Sequence, residues 1–163
     1  MPKPAVITAP ESKAHIKQGF DQLADLLALT LGHTGKGNVL TQTESNKLEI
    51  LCDAAAIARC ITALPDRRQD VGAMLLRNLV WRVHQQVGDG GATAAVLAQA
   101  ILDRANFYIA AGSNAMLIQR GVKRAVEVAL DELKKRAHTV KSEDDLTSIA
   151  RAVTGDDALS LIL

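Results

Sequence analysis

Hydrophobic positions in this chain recur mainly at intervals of three and four residues. The first such stretch follows Glu11 and contains Ile16, Phe20, Leu23, Leu27 and Leu31. Residues at this spacing lie on one face of an α-helix. Gly32 follows where a glycine commonly ends a helix. The pattern therefore predicts a first helix over residues 11–31, preceded by an extended arm over residues 1–10, which contain three of the four prolines.

The same spacing predicts most of the remaining chain as helix. Further helices are expected over residues 54–63, 70–87, 92–111, 114–136 and 142–153, with another opening at Asp156. Asp53, Asn114 and Ser142 stand where a side chain caps a helix start. The expected inward positions are Val71, Leu75, Leu79, Val80 and Val83 in the helix over 70–87, and Ile118, Val122, Ala125, Ala129 and Leu133 in the helix over 114–136.

Two short segments depart from the helical pattern. Residues 38–40 and 48–51 are mostly apolar, the exceptions being Asn38 and Glu49, and are joined by the polar stretch 41–47. Such a pair predicts a β-hairpin. An isolated hairpin is marginally stable in water, so we expect this one to pair with another strand.

Composition narrows the possible functions. The 163 residues carry a formal charge of +1, which argues against strong capture of nucleic acid or an anionic membrane. No apolar run reaches the length of about 20 residues that spans a bilayer. The two cysteines fit a reducing compartment. We therefore expect a cytoplasmic protein with no nucleic-acid or membrane partner.

The strongest candidate for chemistry is the segment Gly88-Asp89-Gly90-Gly91-Ala92-Thr93, a glycine-rich loop that leads directly into a helix. Free backbone N–H groups at a helix start favour phosphate, and glycines allow it to come close. Asp89 adds a carboxylate suited to Mg²⁺. A tight turn between two helices is the alternative interpretation of this segment, because such turns also use Gly and Asp.

Two nucleotide-binding motifs are excluded by their spacing. The stretch 32–37 contains Gly35-Lys36, but only two residues separate this pair from Gly32, where a Walker A loop has four. The stretch 88–93 follows a helix and belongs to no β-α-β unit, so it is not a dinucleotide fingerprint.

Several short segments in a fixed order change this picture. They are Leu23-Ala24-Asp25, Thr30-Leu31-Gly32, Ile50-Leu51-Cys52-Asp53, Gly88-Asp89-Gly90 and Arg120-Gly121. Their order and nearly constant spacing resemble the group I chaperonins, the GroEL type. The resemblance runs from about Gly19 to Leu163 and covers about the first third of a chaperonin subunit.

The resemblance implies a fold and an activity. The fold would be the mainly α-helical bundle of the chaperonin equatorial domain with a small hairpin. Residues 1–136 would be the N-terminal half of this nucleotide-binding, ring-forming domain, and residues 137–163 would begin the intermediate domain. The parent activity would be ATP-dependent folding of unfolded protein clients. Ring neighbours, or further copies of the chain, would contact the 38–53 hairpin and the N-terminal arm.

The resemblance also implies a site for ATP and Mg²⁺. The residues along the phosphates would be Thr30, Leu31, Gly32, Gly88, Asp89, Gly90, Gly91, Ala92 and Thr93. Asp89 would bind Mg²⁺, and Asp53 would be the carboxylate near the γ-phosphate and the candidate catalytic residue.

Several of these positions depart from the family pattern. The family has three threonines after Gly-Asp-Gly, whereas this chain has Gly91 and Ala92 before Thr93. Cys52 replaces a lysine, and His33-Thr34 replaces a Pro-Lys pair. The family's water-activating aspartate and its apical domain correspond to sequence beyond these residues. We therefore expect no ATP hydrolysis by this chain alone. The alternative is a truncated chaperonin relative that oligomerises without catalysis.

Overall fold

Seven helices and one hairpin form the part of the chain that the computed structural model describes, namely residues 6–32, 39–42, 48–154 and 156–160. They are α1 (Glu11–Ala28), β1 (Val39–Gln42), β2 (Leu48–Leu51), α2 (Ala54–Cys60), α3 (Asp70–Val87), α4 (Gly91–Ala110), α5 (Ala115–Arg136), α6 (Glu143–Thr154) and α7 (Asp157–Ser160). The predicted mainly helical fold with a small hairpin is confirmed. Residues 1–5 of the predicted arm, the predicted loop over 33–38 and residues 43–47 of the predicted connection lie outside the described residues.

The chain divides into two compact units, one up to Ile101 and one from Leu102 onward. The division falls inside α4. The first unit contains α1, the hairpin, α2, α3 and the first half of α4, and the second contains the remaining helices. The predicted boundary near Arg136 concerns the domains of a whole subunit and stays a prediction.

The core of the first unit is built from α1, α2, α3 and the start of α4. Phe20, Leu23 and Leu27 on α1 are buried, as the spacing predicted. Small side chains fill much of the rest, including Ala54, Ala55, Ala58, Ala73, Ala92 and Ala95. Alanines leave little bulk between helices, so the helix axes can come close together.

Two glycines allow a very close approach of α1 and α3. A Cβ placed on Gly72 would lie 1.8 Å from the carbonyl oxygen of Ile16, and one on Gly19 would lie 1.9 Å from the carbonyl oxygen of Gln69. Both obstacles are backbone atoms, which cannot rotate away. The crossing of these helices therefore depends on the absence of side chains at Gly19 and Gly72.

This crossing sets which face of α3 is buried. The predicted inward residues Val71 and Leu75 are more than half exposed, whereas Gly72, Ala73, Leu76 and Val80 are buried. The prediction was right for Val80 and wrong for Val71 and Leu75, because it followed the larger apolar side chains. The close contact instead requires the face with the smallest residues to meet α1.

Two helices end earlier than predicted. α1 ends at Ala28, after which the N–H groups of Leu29, Thr30 and Leu31 donate to carbonyls three residues back, a tighter turn than an α-helix. Leu31 is consequently about half exposed rather than buried. α2 ends at Cys60 because Ile61 adopts an extended conformation.

The hairpin forms with the predicted strands. Val39 pairs with Leu51 and Leu40 with Ile50 in an antiparallel register. Leu48 and Ile50 share one side of β2 and are 71% and 63% exposed. The hairpin therefore presents an apolar side that the described residues leave uncovered.

The second unit has little buried surface. The helix α5 is capped by Asn114 as predicted, but none of its residues is buried, including the five predicted to face inward. At the start of α6, the carboxylate of Asp145 accepts hydrogen bonds from the N–H groups of Lys141 and Ser142. These bonds, led by that from Lys141, lower the pKa of Asp145.

Within the described residues, no helix combines the length and the apolar character needed to cross a bilayer.

We predict that Gly72→Ala destabilises the first unit by about 3 kcal/mol or more, because the new methyl group would meet the backbone of Ile16. Urea denaturation followed by the fluorescence of Trp81, the single tryptophan, measures this change.

The matched control is Gly121→Ala in α5, where a Cβ would meet nothing within 4 Å. That change should leave the Trp81 transition unaltered and raise helicity slightly, since alanine is the better helix former by about 1 kcal/mol. Equal stability of the two variants would contradict the proposed close approach.

Candidate phosphate-binding site

The loop between α3 and α4 has the backbone of a tight glycine turn. Gly88 and Gly90 have φ angles of +84° and +83°, in the left-handed region that favours glycine. The N–H of Gly88 donates to the carbonyl of His84 and closes α3, and the carbonyl of Gly90 accepts from Ala94 and opens α4. Asp89 is exposed, and its Oδ1 accepts a hydrogen bond from the N–H of Gly90.

The start of α4 leaves backbone donors free for a ligand. Ala94 is the first residue of this helix whose N–H bonds back to a preceding carbonyl, that of Gly90. The N–H groups of the three residues before it have no partner within the helix, as at any helix start. Gly91 and Ala92 are buried, whereas Thr93 is exposed.

Asp53 caps the start of α2, the second helix start at the candidate site. Its Oδ2 accepts a hydrogen bond from the N–H of Ala56 at 2.7 Å, so the predicted cap is confirmed. The residue is exposed. One carboxylate oxygen is thus engaged in holding the helix, and the other makes no hydrogen bond within the part of the chain that the structure describes.

Gly91 brings the starts of α2 and α4 together. A Cβ on Gly91 would lie 3.3 Å from the Cβ of Ala54 and 3.7 Å from the N atom of Ala55. Gly91 lies two residues after Asp89, and Ala54 is the residue after Asp53. The two carboxylates are therefore anchored at neighbouring helix starts on the same side of the first unit.

The third predicted segment is less firmly connected to this pair. Thr30 is half-buried and its Oγ1 donates to the carbonyl of Leu27 at 2.8 Å, while Gly32 has a φ of +101°. No hydrogen bond among the described residues links Thr30, Leu31 or Gly32 to Asp53 or to the 88–90 loop. The helices α1 and α2 do contact each other.

The contact at Gly91 also limits which side chains the site can hold. A Cβ there would lie 3.1 Å from Val80 Cγ1, closer than most real contacts of this kind. A threonine at this position, as in the group I chaperonin pattern described above, would require Val80 or α2 to move. Thr93 is thus the one hydroxyl at the start of α4, and backbone N–H groups supply most of the donors.

The sequence did not reveal that Ala54 and Val80 pack against Gly91, although Val80 was predicted to face inward. The run Ala54-Ala55-Ala56 after the capping Asp53 was a usable signal, since small residues at a helix start permit another backbone to approach. The role of Val80 had no such signal, because it depends on how α3 is rotated.

Comparison with known proteins gives the family. The TCP-1/cpn60 chaperonin family matches residues 23–161. The chain is 36% identical over 148 residues to the "RuBisCO large subunit-binding protein subunit alpha, chloroplastic" of Brassica napus, a match covering 91% of this chain and 27% of the relative. It is 35% identical over 148 residues to "Chaperonin 60 subunit alpha 1, chloroplastic" of Arabidopsis thaliana, covering 91% of this chain and 25% of the relative.

The chain belongs to the TCP-1/cpn60 chaperonin family, and the resemblance to group I chaperonins is confirmed. It spans about a quarter of the length of these relatives.

The predicted cytoplasmic location is contradicted. The finding that overturns it is that relatives from Brassica napus, Arabidopsis thaliana and Pisum sativum are named as chloroplastic. A balanced charge and two cysteines are compatible with any reducing compartment, so they do not specify an organelle.

We predict that Asp53→Ala lowers the free energy of unfolding by about 1 kcal/mol, because the cap on Ala56 is lost. Asp53→Asn should retain most of that stability, since an asparagine oxygen also caps a helix. Urea denaturation followed by Trp81 fluorescence gives both values.

This pair of variants separates a structural role of Asp53 from a chemical one. If Asp53→Asn lost as much stability as Asp53→Ala, the charge rather than the cap would hold α2, contrary to the geometry described above.

Proposed function

We propose that this chain is the N-terminal part of the nucleotide-binding domain of a divergent chaperonin subunit, and that it binds ATP with Mg²⁺ through the loop Gly88-Asp89-Gly90. Residues up to about Arg136 would belong to the ring-forming equatorial domain, and residues 137–163 would begin the intermediate domain. The parent subunit would use this binding to assist the folding of unfolded proteins.

The observation that supports the proposal most directly is the contact of Gly91 with Ala54 and Ala55. It places two acidic residues, Asp53 and Asp89, at adjoining helix starts. Free N–H groups at the start of α4 suit phosphate oxygens, because both the donors and the helix dipole favour an anion.

The residues present fit a metal-bound phosphate in part. Asp89 Oδ1 accepts a hydrogen bond from the N–H of Gly90, and its second oxygen would be available to Mg²⁺. This ion takes one or two carboxylates together with phosphate oxygens. The N–H groups of Gly91, Ala92 and Thr93 would lie along the phosphates, with the Thr93 hydroxyl as a further donor. Thr30, Leu31 and Gly32 would line the opposite side.

Each residue has a defined task in such a site. Asp89 would hold the cation, which when bound neutralises phosphate charge. Asp53, fixed by its bond to Ala56, would keep a carboxylate near the terminal phosphate. Besides Asp53 and Asp89, no described residue at these two helix starts carries a carboxylate that could activate water. We therefore propose that the chain alone binds nucleotide without hydrolysing it.

A second function is favoured by the packing around Gly91. Two of the three hydroxyls expected from the family are absent, and the space for one of them is occupied by Val80 and Ala54. Each lost hydrogen bond would cost about 0.5–1.5 kcal/mol of binding. In this alternative the chain is a non-catalytic protein that oligomerises, or joins a chaperonin ring, through the hairpin.

We predict that titration calorimetry of the chain with ATP and Mg²⁺ gives binding that Asp89→Asn weakens by about tenfold, one decade being about 1.4 kcal/mol. Asparagine still accepts from Gly90 N–H, so the loop is retained while the charge is lost. Phosphate release should stay at background for both proteins.

Asp131→Asn is the matched control, because Asp131 is an exposed carboxylate on α5. It should bind as the parent chain does. With Mg²⁺ removed by chelator, Asp89→Asn and the parent should bind alike. Absence of binding at millimolar nucleotide would overturn the ATP proposal, and turnover abolished by Asp89→Ala would overturn the claim that hydrolysis is lacking.

The alternative makes its own prediction. Light scattering at high protein concentration, without nucleotide, should show oligomers that Ile50→Lys disperses, because Ile50 lies on the exposed apolar side of the hairpin. Val128→Lys on α5, also exposed, is the control and should leave the oligomers intact. A monomeric parent chain would exclude this function.

A further inference from the structure

A cluster of cationic and aromatic side chains lies where the end of α2 meets α3. Met74, Arg77, Trp81 and His84 recur at three- and four-residue spacing and so share one face of α3. The guanidinium of Arg59, in the last turn of α2, lies 4.7 Å from the Trp81 ring centroid. Trp81 stacks on His84 with centroids 5.4 Å apart. We name Arg59, Arg77, Trp81 and His84 the Arg59–Trp81 patch.

The two arginines of this patch, Arg59 and Arg77, take part in no ion pair within the part of the chain that the structure describes. Arg77 donates to the carbonyl of Arg59 at 3.5 Å and to the sulfur of Met74 at 3.6 Å. By contrast, Arg68 pairs with Glu11 and Arg136 with Glu132. The Arg59–Trp81 patch is therefore a site of uncompensated positive charge.

Trp81 gives this charged site a rigid apolar component. The tryptophan is only half-buried, and it belongs to neither the buried face of α3 nor the loop 88–90. Tryptophan and arginine are the residue types most enriched at the energetic centres of protein interfaces. Arg59 lies in the last turn of α2, whereas Asp53 caps its start, so the patch is separate from the candidate phosphate-binding site.

We propose that the Arg59–Trp81 patch is a docking surface for an acidic peptide segment of a partner protein. Carboxylates of that segment would pair with Arg59 and Arg77, since the guanidinium fork matches a carboxylate. An apolar side chain next to them would lie against the edge of Trp81.

The charge and the stacking favour a peptide over nucleic acid. Affinity for nucleic acid grows with the number of phosphates neutralised, and this surface offers two arginines in a chain of formal charge +1. Binding of single strands also relies on open aromatic faces for the bases. Here Arg59 already lies over the ring of Trp81.

The single tryptophan makes the test direct, because Trp81 reports on the surface itself. The probe is a synthetic peptide of repeated Glu-Glu-Leu units, titrated into the 163-residue chain while Trp81 fluorescence is followed. We expect saturable quenching or a spectral shift that high salt weakens. A peptide of repeated Gln-Gln-Leu units should give no change.

Arg59→Gln combined with Arg77→Gln should weaken binding of the acidic peptide by about tenfold or more, since two charge-assisted contacts are lost. The control removes the same charge elsewhere, with Arg120→Gln and Lys123→Gln on α5, and should change affinity by less than about twofold. Circular dichroism checks that each variant is folded. If the first double variant is not, Arg77→Gln alone carries the test and should weaken binding measurably.

Three results would overturn the proposal. They are an unchanged Trp81 signal throughout the titration, equal weakening by the two double variants, and tighter binding of a single-stranded oligonucleotide than of the acidic peptide that depends on the same arginines.

Discussion

Helix backbones in the first unit approach one another at positions where a side chain has no room, and the rest of the structure depends on this constraint. Gly19 and Gly72 allow α1 and α3 to cross closely, because the carbonyl oxygen of the facing helix occupies the space that a Cβ would need. Gly91 allows α4 to begin against α2. Dispersion attraction weakens steeply with distance, so helices this close attract each other through backbone atoms that larger side chains would hold apart. The core of the described residues can therefore consist mainly of alanine, with three leucines and one each of phenylalanine, isoleucine and valine.

The same constraint changes how the candidate site should be understood. The family pattern has threonines at the positions of Gly91 and Ala92, so two hydroxyls are absent here. In this structure both residues are buried, and Gly91 forms the contact that holds two helix starts together. At the candidate site, Gly91 packs closely where a longer side chain has no room, and the start of α4 still has its backbone N–H groups and the two nearby carboxylates. Asp53 and Asp89 each use one oxygen on the backbone, so each has a structural task whether or not a nucleotide binds.

Much apolar and cationic surface is left without a partner by the described residues. The helix α5 has no buried residue, the hairpin exposes Leu48 and Ile50, and the arginines of the Arg59–Trp81 patch form no ion pair among the described residues. The chain covers about a quarter of its relatives' length. The patch differs from the other two, because its charge specifies the chemistry of what could cover it.

The sequence by itself determined the helices, their caps and the hairpin, since these depend on neighbours along the chain. Asp53, Asn114 and the strand pairing were predicted for that reason. The order of short segments also indicated the family. Only the tertiary structure decided which face of α3 is buried, because steric access at Gly72 outweighs the larger side chains of Val71 and Leu75. It likewise decided that Gly91 meets Ala54, a contact between residues far apart in the chain that no local pattern encodes.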